Sequence, residues 1–219
     1  MNSQLIGGCE MSEQNAETDL GAVMYSSRAM RRLEPRVVPE PMLIKLIDAA
    51  NQAPSGSNAQ LTRWVIVRDP EQKKKLAALN RLHGEPHIAA DVAKPKDAKL
   101  KRMLDAVVWQ MDHLHELPAL IVACYDYETV VDGMDIYRKA GSVWPGVQNL
   151  LLMARSLGLG AAPTTLALRD QGMVREALSL PETFAALCLI PVGYPQGRFG
   201  PVTRNPVEDI MRFDRWSDH

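Results

Sequence analysis

The stretch Ala53-Pro54-Ser55-Gly56-Ser57-Asn58-Ala59-Gln60 decides how the rest of this chain is read. It consists of turn formers and small polar residues, yet it lies between an amphipathic helix and an apolar strand. Pro54 fixes its own φ and pushes Ala53 out of the helical region. Gly56 tolerates positive φ, and Ser55, Ser57 and Asn58 offer short side chains beside an accessible backbone. Such a loop either connects helix to strand or lets a flat polar ligand approach the backbone closely. Its flanks must choose between the two.

On the N-terminal side, Leu43, Ile44, Leu46, Ile47 and Ala50 form one stripe. That pattern predicts a helix opened by Pro39-Glu40-Pro41 and running to about Gln52. On the C-terminal side, Trp64-Val65-Ile66-Val67 predicts a buried strand stopped by Asp69-Pro70, with a helix over 71–79 after it. Residues 80–96 hold Gly84, Pro86 and Pro95 and show no apolar period, so they read as a mobile segment or lid. Helical spacing returns at Leu100, Met103, Leu104, Val107, Val108, Met111 and Leu114, predicting a long amphipathic helix over 97–115. A core strand is expected at 119–124. Residues 143–157 are apolar on more than one face until Gly158-Leu159-Gly160 stops them, which suits a central helix or a subunit contact. A short helix over 170–178 and a long apolar strand over 184–192 follow.

The whole chain has 219 residues and a formal net charge of -1, from 25 basic and 26 acidic side chains. That length suits one domain, taken here as 19–219 behind a polar tail at 1–18. The charge balance gives no global field to gather nucleic acid or an anionic membrane. Cys9, Cys124 and Cys188 are odd in number and lack metal-ligand spacing, so reduced thiols in a cytoplasmic protein are expected. The first twenty residues do not have the pattern of a secretory signal, and 143–157 is too short and too interrupted by Gln148, Asn149 and Arg155 to span a bilayer.

Three basic groups, Arg28, Arg31 and Arg32, fall within five residues and cannot all point the same way in regular structure. They read either as a solvated basic turn or as guanidinium forks for a phosphate. Dinucleotide, Walker and nucleophile-elbow patterns are absent from the sequence. His83 with His87, and His113 with His115, are read as surface histidines, and no metal site is expected. Trp109 and Trp144 read as core or pocket aromatics.

Five stretches in order resemble the nitroreductase family of FMN-dependent oxidoreductases. They are Arg28-Ala29-Met30-Arg31-Arg32-Leu33 with its following Val38-Pro39, the Ala53 to Gln60 loop, Val147-Gln148-Asn149-Leu150 with Gly158-Leu159-Gly160, Ile190-Pro191-Val192-Gly193-Tyr194-Pro195, and Arg204-Asn205-Pro206 with Val207-Glu208-Asp209-Ile210-Met211. The resemblance implies an α+β fold with a central, mainly antiparallel sheet flanked by helices, in an intertwined homodimer with FMN at two shared sites. It implies that Arg28 and Arg31 contact FMN, with Arg32 beside them and Ala29 where relatives often have serine, and that Arg204 meets the phosphate. It places Pro54, Ser55, Ser57 and Asn58 on the flavin of the partner subunit, and Pro163, Thr164 and Thr165 against the flavin ring. The implied activity takes hydride from NADH or NADPH and reduces a nitroaromatic, quinone or similar acceptor by a ping-pong cycle without an acid-base dyad. Reductive dehalogenation, oxygen-dependent flavin cleavage and a non-enzymatic flavin-binding dimer are the alternatives. The chain departs from the pattern at Gln60-Leu61-Thr62, where relatives often have Gln-Pro-Trp, and it shows no deiodinase-type Glu, Tyr and Lys trio between Asn80 and His115.

Overall fold

The computed structural model describes residues 19–129 and 140–216; the expected tail at 1–18 lies outside the described residues. Its centre is β2 (Ala119–Asp126), whose side chains are buried on both faces because the run is apolar without alternation. It pairs antiparallel with β1 (Thr62–Val67) on one side and with β4 (Phe184–Gly193) on the other. The short β3 (Gly160–Ala161) closes the far edge, giving the order β1-β2-β4-β3. A register shift between Ala123 and Cys124 leaves Leu187 as the extra residue of β4 and puts the adjacent Leu187 and Cys188 in the same core cluster, departing from strict alternation.

Helices cover both faces. One layer holds α2 (Glu40–Asn51) and α5 (Val143–Ser156), whose Leu43, Leu46, Val143, Val147 and Leu150 meet Ile121, Ala123 and Ile190. The opposite layer holds α3 (Pro70–Ala93) and α6 (Gln171–Leu178), whose Leu76, Leu79, Val174 and Ala177 meet Leu120, Val122 and Leu189. Outside α3 lies α4 (Ala98–His113), opened by Asp97, whose carboxylate accepts from the Leu100 N–H at 2.7 Å. The short α1 (Leu20–Ser26) and α7 (Val207–Ile210) flank the ends of the described chain. No described helix is long and apolar enough to cross a membrane.

One expectation fails. Residues 80–93 are not a broken segment but the second half of α3, which continues through Pro86. Pro86 is on the exposed side, where a missing N–H leaves only a carbonyl facing water. The buried side of this half is made by Asn80 and Gly84 rather than by large apolar residues, so it shows no apolar period. A Cβ at Gly84 would stand 2.7 Å from Met111 Cε and 3.2 Å from Leu166 Cδ1, so α3 and α4 approach through a residue without a side chain. Arg81 of α3 adds ion pairs to Glu85 and to Asp112 of α4.

Candidate active site

Residues 28–34 carry the arginines along the sheet edge and are pinned there by their backbone. The Met30 N–H donates to the Ala161 carbonyl at 3.1 Å and the Glu34 N–H to that of Tyr194 at 2.8 Å; the Arg32 carbonyl accepts from the Gln196 N–H at 3.0 Å. Leu33 is buried, bridged to Pro195. Gly160 makes this approach feasible, since a Cβ there would fall 2.8 Å from both Met30 Cβ and Leu33 Cδ2. Alternating direction along the segment then separates the guanidinium groups. Arg28 and Arg31 line two different cavities, while Arg32 is exposed and lines neither.

The first cavity, of about 240 Å³, is bordered by Ser27, Arg28, Ala29, Arg155, Pro163 and Arg204. Arg204 arrives from the far end of the chain because the Val202 N–H donates to the Tyr25 carbonyl at 3.0 Å, laying that strand of backbone along α1. Among the described residues its guanidinium bonds only the neighbouring Thr203 carbonyl, at 2.9 Å. Arg155 projects from α5, donates through Nε to Ser26 Oγ at 2.9 Å and stacks its guanidinium 4.2 Å over the Phe199 ring. Among the described residues, none of Arg28, Arg155 and Arg204 has a carboxylate partner, and no acidic residue borders the cavity. Such a set of guanidinium donors suits an anion. Arg155 was legible in the sequence only as a charge interrupting an apolar helix.

The second cavity, of about 400 Å³, shares Pro163 with the first and is lined by Arg31, Gln110, Trp144, Thr164, Thr165 and His87, among others. Thr164 is fixed by a two-way backbone bridge to Leu189 of β4, at 2.8 and 2.9 Å. Burial alone holds the Arg31 guanidinium below the usual arginine range, with no carboxylate offsetting it. The Cys188 thiol on the inner wall is pushed up to about 12 by desolvation, so it is neutral near pH 7. His83 and His87 stand one turn apart on a helix, contrary to the broken segment expected for them. Arg169 donates to His87 Nδ1 at 3.0 Å. Among the described residues, no group of three or more His, Cys, Asp or Glu side chains could hold a metal.

The central loop lies elsewhere. Ser55 borders a narrow cleft with Trp64, Ser142 and Gly146, and Pro54, Ser57 and Asn58 are exposed. Ser55 Oγ accepts from the Gln60 N–H at 3.0 Å, and the Gly56 N–H donates to Ser142 Oγ at 3.3 Å. The positive φ that Gly56 would tolerate falls instead on Ser57, Asn58 and Gln60, at 52°, 53° and 54°. Non-glycine residues hold that conformation at a cost that clusters at functional loops. The twelve residues singled out from the sequence thus divide. Arg28, Ala29, Pro163 and Arg204 converge on one cavity, Arg31, Pro163, Thr164 and Thr165 on the next, and Arg32 with the four loop residues stands apart.

The profile of the Nitroreductase family matches residues 25–194. This chain belongs to that family. It is 30% identical over 208 residues to an NADH dehydrogenase of Thermus thermophilus, covering 88% of this chain and 95% of the relative. It is also 30% identical over 189 residues to an iodotyrosine deiodinase of Thermotoga neapolitana, covering 85% and 93%. A crystal structure of oxidized iodotyrosine deiodinase bound to FMN and 3-iodo-L-tyrosine superposes with a TM-score of 0.71 at 27% identity, covering 90% of this chain and all of that one. The α+β architecture with its antiparallel sheet is therefore the family fold.

Proposed function

We propose that this nitroreductase-family protein is a cytoplasmic, homodimeric FMN-dependent oxidoreductase that takes hydride from NADH or NADPH and reduces a nitroaromatic, quinone or similar acceptor. Family membership makes it an oxidoreductase with FMN as cofactor. One observation carries the fit: four arginines, Arg28, Arg155, Arg204 and Arg31, border two cavities that meet at Pro163, and none has a carboxylate partner among the described residues. Bound FMN would supply the redox chemistry and the protein its placement and electrostatics.

In this reading Arg28, Arg155 and Arg204 hold the phosphate, whose charge and oxygens suit guanidinium forks. Ala29 keeps the entrance small. Arg31 faces the electron-accepting ring as a positive charge, with Pro163, Thr164 and Thr165 against the ring edge. Pro54, Ser55, Ser57 and Asn58 reach the cavity of a second copy, which accounts for a strained, exposed polar loop. The second copy also covers the apolar groove of about 400 Å³ lined by Leu20, Val23, Leu152 and Met153. Residues 19–219 form one domain.

Purified protein should carry a flavin absorption spectrum, release FMN on denaturation and bleach on anaerobic addition of one of the two nicotinamides. FAD, or no flavin after reconstitution, would overturn the assignment. Reductive dehalogenation is a second reading, favoured by the likeness to iodotyrosine deiodinase. Flavin reduction without steady nicotinamide oxidation in the presence of nitro and quinone acceptors would select it.

A further inference from the structure

Among the described residues, Arg155 is the one guanidinium of the first cavity held by groups from other parts of the chain. Its Nε–H donates at 2.9 Å to Ser26 Oγ at the end of α1, and its planar face lies 4.2 Å over Phe199. Phe199 belongs to an irregular stretch that is anchored on either side by the Gln196 N–H on Arg32 and the Val202 N–H on Tyr25, each at 3.0 Å. Ser26 is itself fixed. Its single proton is committed to the Ala22 carbonyl at 2.6 Å, which leaves the lone pairs of Oγ to Arg155. With Nε and one face engaged, the two Nη nitrogens have no hydrogen-bond partner among the described residues, and they are the paired donors that match two oxygens of one anion. A long side chain loses rotamer freedom when it takes hold of a ligand, and one already ordered in the empty protein loses less.

We propose that Ser26 and Phe199 are positioning residues for the cofactor phosphate, ordering the Arg155 fork before FMN arrives. The proposal rests on the oxidoreductase reading and adds to it two side chains that act through a third. Neither is an anion ligand in its own right. Ser26 does not border the cavity, and Phe199 borders it but carries no side-chain donor. Their effect on the cofactor therefore passes through Arg155 and is confined to the phosphate.

The test titrates the deflavinated protein with FMN and with riboflavin, which share the ring and ribityl chain and differ in the phosphate, and reads the ratio of the two affinities. Ser26→Ala removes the acceptor of the Arg155 Nε–H, and Phe199→Leu removes the aromatic face while keeping apolar bulk. Each should lower FMN affinity about three- to tenfold and leave riboflavin affinity unchanged. Ser26→Thr, which keeps an acceptor oxygen, should retain the FMN preference. In an Arg155→Met background there is no fork to orient, so neither change should lower FMN affinity further, the mark of coupled rather than independent roles. Equal losses for the two flavins would make Ser26 and Phe199 structural and overturn the proposal. Losses that add to that of Arg155→Met, or a ratio unaltered in the variants, would overturn it as well. Failure of the wild-type protein to bind either flavin would instead overturn the oxidoreductase reading, so the two failures are separate.

Discussion

Arg31 is a charge held away from water with nothing in the described protein to balance it, so its replacement should act in opposite directions on the empty and loaded protein. Desolvation is the sole cause holding its guanidinium below the usual range. In Arg31→Met the aliphatic stem is kept and the unpaired charge is lost. Relief of a half-buried, unpaired group is worth about 1 kcal/mol, the low end of the desolvation range. In a domain of about this size that raises the melting temperature of the deflavinated protein by about 2–4 °C. In the proposed site the same change would also remove a charge-assisted contact to FMN worth about 1.5–3 kcal/mol, a loss of about 10- to 150-fold in affinity. Differential scanning calorimetry of apoprotein and fluorescence titration with FMN measure the two effects separately. Arg204→Ala serves as the contrast. Its guanidinium is exposed and bonded only to the Thr203 carbonyl, so affinity should fall with no rise in the apoprotein melt. A lower melting temperature for Arg31→Met would show that the guanidinium has a structural partner. An unchanged FMN affinity would show that it does not face the cofactor.

Gly160→Ala drives a Cβ to 2.8 Å from Met30 Cβ, and backbone there cannot yield as a long side chain would; overpacking of about 1–3 kcal/mol should lower the melting temperature by about 2–4 °C for each kcal/mol, and FMN affinity should fall because Met30 lies between Ala29 and Arg31. Normal FMN affinity in that variant would separate the 28–31 segment from the cofactor. Burial raises the Cys124 and Cys188 thiols from 9.0 to about 12. Their folded pKa lies above the unfolded one, so their contribution to stability is complete below pH 9 and is lost as pH rises toward 12. Denaturant midpoints between pH 8 and 11 should fall less steeply in the Cys124→Ala, Cys188→Ala double variant than in wild type, and a parallel fall would refute this cause. Nicotinamide and acceptor share the second cavity in this reading, so initial rates at several fixed acceptor concentrations should give parallel double-reciprocal lines, and intersecting lines would require both to bind at once.

The elements most legible in the sequence are those whose burial is carried by large apolar side chains. Strand β2 and strand β4 are near-continuous apolar runs, and α2 and α5 show stripes that meet the same sheet face. The second half of α3 escaped because its buried contact is made by Gly84, whose lack of a side chain leaves no hydrophobic period to read. Arg155 escaped for the converse reason. It sits on an apolar helix, and only the fold shows that its guanidinium lies over Phe199 beside Arg28 and Arg204. The convergence of Arg28 with Arg204 depends on backbone pairing between Tyr25 and Val202, which no local pattern encodes. Family resemblance supplied the expectation that residues at opposite ends of the chain meet, and the sheet-edge geometry brings them together.

The central loop shows how far one subunit can account for a site. Helix α2 delivers Ala53 to Gln60 as expected, but the strain is placed on Ser57, Asn58 and Gln60 while Gly56 is left unstrained. A loop free to relax would shift positive φ to its glycine, where it costs least. Here the Gly56 N–H is held by Ser142 Oγ and the Gln60 N–H by Ser55 Oγ, so both ends are fixed and the turn between them has no freedom to redistribute the strain. The consequence is that Ser57 and Asn58 stand exposed. Arg28 and Arg204 border one cavity and Arg31 the next, and in the proposed dimer the loop of the other copy adds its short polar groups to them. Two copies related by a two-fold axis would place both loops at once, because an isologous contact that brings one loop to one cavity brings the other loop to the other. In the proposed dimer, cofactor binding and dimerisation would be linked, and the flavin of the second copy would make use of a loop conformation that its own chain already holds through Ser142 Oγ and Ser55 Oγ.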